Sequence, residues 1–249
     1  MKQKEWFAEW FDTCYYHTLY KNRDEKEASN FISSLIEDLK LPKNAYLLDL
    51  ACGKGRHSIT LNELGFKVKG VDLSPNSIAE ASKYSNENLQ FAVQDMRQAI
   101  PNEKFDAIFN LFTSFGYFDS IEDNVCVVQA MNSMLNEDGI LVIDFMNATK
   151  VIDSLVLEEE KIIDGIEFQI KRKYDGQHIF KFIHVKDGER VFDYSERVQA
   201  LKQVDFEKLL TENGFEILRT FGDFNLNPFQ EKSSDRLIII AKKIEWKHL

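Results

Sequence analysis

Cysteine, basic charge and long apolar runs are all scarce in this chain of 249 residues. Its three cysteines, Cys14, Cys52 and Cys126, are too few and too scattered for a disulfide framework or a zinc site. That usage fits a reducing setting, and a cytoplasmic location is the expectation. No apolar run approaches the roughly 18 residues needed to span a bilayer, and the opening residues carry no apolar core of signal-peptide length. Lys and Arg number 31 against 41 Asp and Glu, a net charge of −10. Phosphate backbones are held by Lys/Arg patches, so a nucleic-acid partner is disfavoured. Neither an internal repeat nor a low-complexity linker interrupts the sequence.

What is present is a hydrophobic fraction of 44%, ample for one core, at a length natural for one larger α/β domain. The organising stretch is Tyr46-Leu47-Leu48-Asp49-Leu50-Ala51-Cys52-Gly53-Lys54-Gly55-Arg56-His57-Ser58. Leu47, Leu48 and Leu50 form the short apolar run of a central parallel strand covered on both faces. Gly53 and Gly55 remove two side chains where the backbone turns sharply and could approach a ligand. Ile59 and Leu64 then keep helical spacing, and Gly65 supplies a C-cap. A second strand, residues 66–72, ends on Asp72. Its separation from Gly55 is close to the roughly 20 residues expected for a carboxylate that reaches ribose hydroxyls.

Two details argue against a dinucleotide. Ser58 stands at the third position of the glycine fingerprint, and Asp49 puts negative charge just ahead of a turn that would meet anionic phosphate. A ligand with a ribose, no phosphate, a cationic centre and an ammonium group tolerates that acid far better. S-adenosylmethionine is such a ligand.

Leu48-Asp49-Leu50-Ala51-Cys52-Gly53-Lys54-Gly55 resembles the first motif of class I S-adenosylmethionine-dependent methyltransferases, and Asp72-Leu73-Ser74-Pro75 resembles their second. The likeness runs through most of the chain and is nearest to the small-molecule branch. It implies an α/β fold with a Rossmann-like, doubly wound sheet of seven strands. The last strand would be antiparallel, inserted between the fifth and sixth, with helices on both faces. It also implies transfer of a methyl group from S-adenosylmethionine to an O or N atom of a small-molecule acceptor.

Carried onto this sequence, the resemblance implies cofactor contacts at Tyr15, Asp49, Ala51, Cys52, Gly53, Gly55, His57, Asp72, Leu73, Ser74, Asp95, Met96, Asn110 and Leu111. The two glycines would let the chain pass the amino-acid moiety, Asp72 would grip the ribose, and Asp49 would lie near the amino group. Asp95 and Met96 would hold the adenine, although Asp95 also reads as a turn residue or helix cap. Acceptor contacts are expected at Tyr16, Phe112, Tyr117, Asp144 and Phe224. Leu111 and Phe112 read equally as core, and Asp144 equally as a buried structural acid. No catalytic residue is marked and no metal is implied. A sulfonium leaves as a neutral thioether, so the task is to hold the nucleophile in line and exclude water. Two rivals stand beside this reading: a nicotinamide-dependent oxidoreductase, and a non-catalytic S-adenosylmethionine binder.

The chain, 1–249, is expected as one domain with a helical cap at 1–40. Residues 5–20 are unusually aromatic and read as an amphipathic helix, either stapled to the core or closing over the ligand with Tyr15 and Tyr16. Apolar positions 28, 31, 32, 35, 36 and 39 give a helix that packs on the sheet. Ser74 and Pro75 open another as N-cap and first helical residue. Strands follow at 89–93, 105–110 and 140–145, the last preceded by a helix over 121–135 and a turn at 136–139. The loop after 110 lacks the Asn/Asp-Pro-Pro-Tyr/Phe signature of enzymes that methylate amino groups of DNA bases. From 155 to 200 the pattern alternates, with Asp175-Gly176 and Asp187-Gly188 as hairpin turns. This predicts an antiparallel insert of about three strands that roofs the acceptor pocket or builds a homodimer contact. His178 and His184 within it read as packing residues before bases. A helix over 202–213 and strands at 215–220 and 237–241 complete the pattern.

Overall fold

Parallel strands cannot be joined by tight turns, so each needs a crossover, and here three of the four crossovers carry a helix that covers the sheet. The computed structural model describes residues 6–21 and 25–244. Its elements in chain order begin with α1 (Trp6–Trp10), α2 (Cys14–Leu19) and α3 (Glu25–Leu39). Next come β1 (Tyr46–Leu50), α4 (Arg56–Glu63), β2 (Lys67–Asp72), α5 (Pro75–Ala81), β3 (Leu89–Val93) and β4 (Phe105–Asn110). Then follow α6 (Ile121–Met134), β5 (Leu135–Met146), α7 (Ala148–Asp153) and the insert β6 (Glu158–Ile163), β7 (Ile166–Tyr174), β8 (His178–Asp187) and β9 (Arg190–Gln199). The last are α8 (Gln203–Thr211), β10 (Phe215–Phe221) and β11 (Arg236–Lys243).

Seven strands form the main sheet in the order β10-β11-β5-β4-β1-β2-β3. The strands from β3 to β5 run parallel, whereas β11 is antiparallel to both β5 and β10. The sheet expected from the sequence is therefore the one observed, with the last strand inserted between the fifth and sixth. Alternation along the buried strands divides the core. Leu48 and Leu50 pack with Val127 and Met131 of α6 and Phe206 of α8. Leu47 and Phe109 pack on the other face with Phe31, Ile32 and Leu35 of α3 and Leu61 of α4.

Three local expectations need correction. The aromatic start is two short helices, not one: Thr13 leaves the helical conformation and its side chain accepts from the Tyr16 amide at 3.1 Å, capping α2. Residue 5, the first of that expected helix, lies outside the described residues. The turn expected at 136–139 is an irregularity inside β5, because Leu135 already pairs with Phe105 before the register shifts. Asp138, at φ 61°, is the pivot. The insert has four strands. β6 reads Glu-Glu-Glu-Lys-Ile-Ile, a charged edge with no alternation to reveal it, joined to β7 through Asp164 and Gly165 at φ 53° and 80°.

The insert's inner face meets the N-terminal helices in a third core, where Trp10, Tyr15 and Leu19 lie against Phe168, Ile170, Ile183 and Val185. Glu196 of β9 organises this contact, accepting from the Trp10 indole at 2.7 Å and from the Tyr20 hydroxyl at 2.8 Å. Phe168 is completely buried there. Phe168→Ala should cost about 3–5 kcal/mol in urea denaturation, and limited proteolysis of the variant should cut first within residues 6–21. Cleavage that spares that segment would show that the third core does not hold it.

Candidate active site

The strand order reverses between β1 and β4, and the crevice outside the carboxyl ends of parallel strands is where such sheets take ligands. A cavity of about 780 Å³ opens there, beneath the N-terminal helices. The turn after β1 forms its floor. Ala51, Gly53 and Gly55 all have left-handed φ, at 65°, 55° and 82°. A side chain at Gly53 would enter open space, so this position does let the chain approach a ligand. Gly55 differs: a Cβ there would come within 2.7 Å of the Phe91 ring, so its missing side chain serves the packing of α4 on β3.

Asp72 fixes that turn. Its Oδ2 accepts from the Gly53 amide and its Oδ1 from the Ser74 amide, both at 2.8 Å. Burial pushes the Asp72 carboxyl up from the usual range, against the pull of the two amides. Asp49 is buried on β1 and accepts from the Ser58 hydroxyl at 2.5 Å. Desolvation raises its carboxyl to about 6, only partly opposed by the Ser58 bonds. Burial likewise pushes the Cys52 thiol well up, so it stays protonated.

At the end of β3, Asp95 is both a cavity residue and a turn residue. It accepts from the Arg97 amide at 2.9 Å and from its guanidinium at 2.6–3.1 Å. Burial opposes ionisation, but the Arg97 bonds win and hold Asp95 below its ordinary range. At the end of β4, the Asn110 amide donates to Leu50 O at 3.0 Å. The following loop turns through two left-handed residues, Phe112 and Thr113. The Phe112 ring stacks with His57 at 4.9 Å and Phe224 at 5.2 Å.

Of the residues singled out in the sequence, Asp49, Ala51, Cys52, Gly53, His57, Asp72, Leu73, Asp95, Met96 and Leu111 line this cavity, as do Tyr16, Phe112 and Tyr117. Six do not. Tyr15 turns to the insert, donating to Asp187 at 3.0 Å and packing on Phe192. Gly55 is occupied by Phe91, Asn110 sits behind the wall, and Phe224 backs Phe112. Ser74 caps α5, accepting from Ser77, and donates to Asp12 of the N-terminal segment. Asp144 is fully buried and paired with Arg236 at 2.7 Å, the structural acid of the two alternatives.

Sequence reasoning missed Phe7, Phe11, His17, Tyr20, Lys54 and Arg56, which also line the cavity. The aromatic richness of residues 5–20 was the signal for the first four. His17 is held neutral, its imidazole lowered to about 4 by burial and by Lys54, against Asp12. Among the described residues no cluster of His, Cys, Asp and Glu could hold a metal ion.

Comparison with known proteins decides the family. The model of the methyltransferase domain matches residues 41–214. The chain belongs to this family. It is 29% identical to the glycine/sarcosine N-methyltransferase of Aphanothece halophytica, over 89% of this chain and 83% of that one. A solved S-adenosylmethionine-dependent methyltransferase from Clostridium acetobutylicum superposes with a TM-score of 0.78 at 26% identity, covering 92% of this chain and 96% of that one. The sugar N-methyltransferase KedS8 from Streptoalloteichus shares the fold, with a TM-score of 0.74 at 21% identity over 92% and 93% of the two chains. The protein is an S-adenosylmethionine-dependent methyltransferase, and the oxidoreductase reading is set aside.

The residues present fit that cofactor. Asp49 lines the cavity just ahead of the turn where a dinucleotide would bring phosphate, Asp72 lines it at the end of β2, and the Gly53 position leaves open space. Acceptors of this kind suit a cationic ligand with hydroxyl and ammonium donors.

The raised Asp49 carboxyl has a sign that can be worked out. The folded state holds this proton more tightly than the unfolded chain. Its contribution to stability is therefore complete below the ordinary carboxyl pKa near 4 and is lost as pH rises through about 6. The loss is on the order of 2–3 kcal/mol. Asp49→Asn should remove that pH dependence: in chemical denaturation it should gain stability relative to wild type between pH 4 and 7. Parallel curves would place the Asp49 carboxyl in its ordinary range.

Proposed function

We propose that this protein transfers the methyl group of S-adenosylmethionine to a nitrogen or oxygen atom of a small-molecule acceptor seated in the cavity under α1 and α2. The observation that carries the reading is the placement of Asp49, Asp72, Asp95 and Met96 around one cavity of about 780 Å³, a size suited to a cofactor and a small partner. Support for a small acceptor also comes from relatives whose names state glycine/sarcosine N-methylation and sugar N-methylation.

When bound, the cofactor supplies an electrophilic methyl group on a sulfonium that departs as a neutral thioether. The chain's part is to bind, orient and exclude water. Asp72 has its carboxylate anchored on two amides and keeps lone pairs for ribose hydroxyls. Asp49 offers charge to an ammonium group. Met96 and Leu73 give apolar surface to the adenine, and Asp95 offers an acceptor edge that Arg97 holds in place. Tyr16, Phe112 and Tyr117 form the acceptor side, with Phe7 and Phe11 closing the cavity from above as a water-excluding cover. His17 is neutral, but an imidazole lowered to about 4 by burial and by Lys54 is too weak a base for an acceptor ammonium or hydroxyl, so it serves as cavity lining.

The test is binding followed by turnover. S-adenosylmethionine and S-adenosylhomocysteine should each raise the unfolding midpoint, and NAD(H) should not. Asp72→Ala should raise the S-adenosylmethionine dissociation constant at least tenfold by calorimetry, about 1.4 kcal/mol; unchanged affinity would remove Asp72 from the ribose. A panel of glycine, sarcosine, amino sugars and phenols, read by S-adenosylhomocysteine release, would then name the acceptor class. Failure of the whole panel with intact cofactor binding would count against a small acceptor.

A further inference from the structure

Among the described residues, only at Phe112 and Thr113 do two consecutive residues with side chains take left-handed backbone, at φ 57° and 60°. For a β-branched threonine this region is strongly disfavoured, and such a conformation persists only where its surroundings over-determine it. Here four hydrogen bonds do so. The Phe112 amide donates to Asp144 Oδ2 at 2.8 Å, and the Thr113 amide donates to the Asp144 carbonyl at 2.9 Å. Arg236 donates through Nη2 to Thr113 Oγ1 at 3.1 Å and through Nε to Asp144 Oδ1 at 2.7 Å.

The arrangement goes beyond an ion pair of the sheet. Asp144 on β5 and Arg236 on β11 lie close in the antiparallel ladder and could pair without touching any loop. Instead, each also holds the turn that leads from β4 into the cavity wall. Directly beyond the turn, Ser114 and Tyr117 line the cavity, and the turn itself presents Phe112. The His57 and Phe224 rings stack on Phe112, so the backbone that the clamp fixes carries a ring packed on both neighbours.

We infer that Asp144 and Arg236 are positioning residues, which hold Phe112–Thr113 in a strained left-handed turn and thereby set the acceptor wall of the cavity. This rests on the proposed use of that cavity by cofactor and acceptor together. Neither residue of the pair lines the cavity; the pair acts through Phe112, which does. Glycine accepts left-handed backbone freely, so a glycine at position 113 would need the clamp far less than threonine does.

Hydrogen exchange across residues 111–118, compared among wild type, Arg236→Gln, Thr113→Gly and the double variant, tests this. Arg236→Gln should lower protection of the Phe112 and Thr113 amides at least tenfold while the S-adenosylhomocysteine dissociation constant stays within twofold. Adding Thr113→Gly should restore at least a third of the lost protection, and should restore KM for whichever panel acceptor is turned over. Unchanged protection in Arg236→Gln, or a loss that glycine does not mend, would reduce the pair to a strut of the sheet and overturn the inference. If Arg236→Gln does not fold, Thr113→Val leaves the ion pair intact while removing one bond and keeping the strain. It should lower protection of the same two amides several-fold, and no change would equally overturn the inference. Absence of S-adenosylhomocysteine binding to the wild type would instead defeat the reading of the cavity, with the exchange result still deciding the clamp.

Discussion

The carboxylate of Asp72 is the junction on which the ligand cavity depends. One oxygen closes the glycine turn after β1 and the other fixes the start of α5. Through Ser74 the tie continues outward, because the Ser74 hydroxyl donates to Asp12, as does the Asn76 amide at 2.6 Å. Floor, side wall and cover therefore share one chain of hydrogen bonds, and an acid that lines the cavity also organises its own surroundings. Both carboxylate oxygens are engaged before any ligand arrives, which reduces the ordering required on binding.

The cover and the insert behave as one structural unit. Glu196 takes bonds from both N-terminal helices' neighbourhood, at Trp10 and at Tyr20, and apolar residues fill the space between. The insert is in turn fastened to the loop after β4 by Gln199. Its amide donates to Gly116 O, its side chain donates to Phe118 O at 3.0 Å, and it accepts from Asn124 at 2.6 Å. Aromatic side chains then join cover to wall directly, as Phe7 meets Phe118 edge-on at 5.5 Å and Phe11 meets Tyr117 at 5.1 Å. The insert is thus tied to both sides of the cavity.

The main sheet was legible because its signals are local and repeated. Apolar runs such as Leu47-Leu48 alternate between two helical layers, and the turns carry glycine or an N-cap such as Ser74. Strand β6 was not legible, since a charged edge strand carries little apolar pattern. Thr13 looked like part of a helix because capping is decided by backbone conformation, which a polar residue among aromatics does not announce. The cavity floor was readable for the same reason as the sheet: strand-end acids fall at fixed places in a doubly wound fold. Which tyrosine faces the cavity was not, because Tyr15 and Tyr16 differ by about 100° around a helix and only the position of the insert settles the choice. Gly55 and Gly53 likewise look alike in sequence, although one admits a phenyl ring and the other open space.

Synthesis from the N-terminus leaves β5 with one edge unpaired until residues 236–243 have left the ribosome, because β11 fills the gap between β5 and β10. During that interval Leu141, Val142, Ile143 and Phe145, all fully buried in the finished protein, lie along an open strand, a template for unwanted pairing. Asp144 waits with them, its cation still to be made. The insertion of one late strand therefore closes the sheet, neutralises a buried acid and completes the cavity wall in a single event. A nascent chain that has not reached that strand has neither a sealed sheet nor a finished cavity.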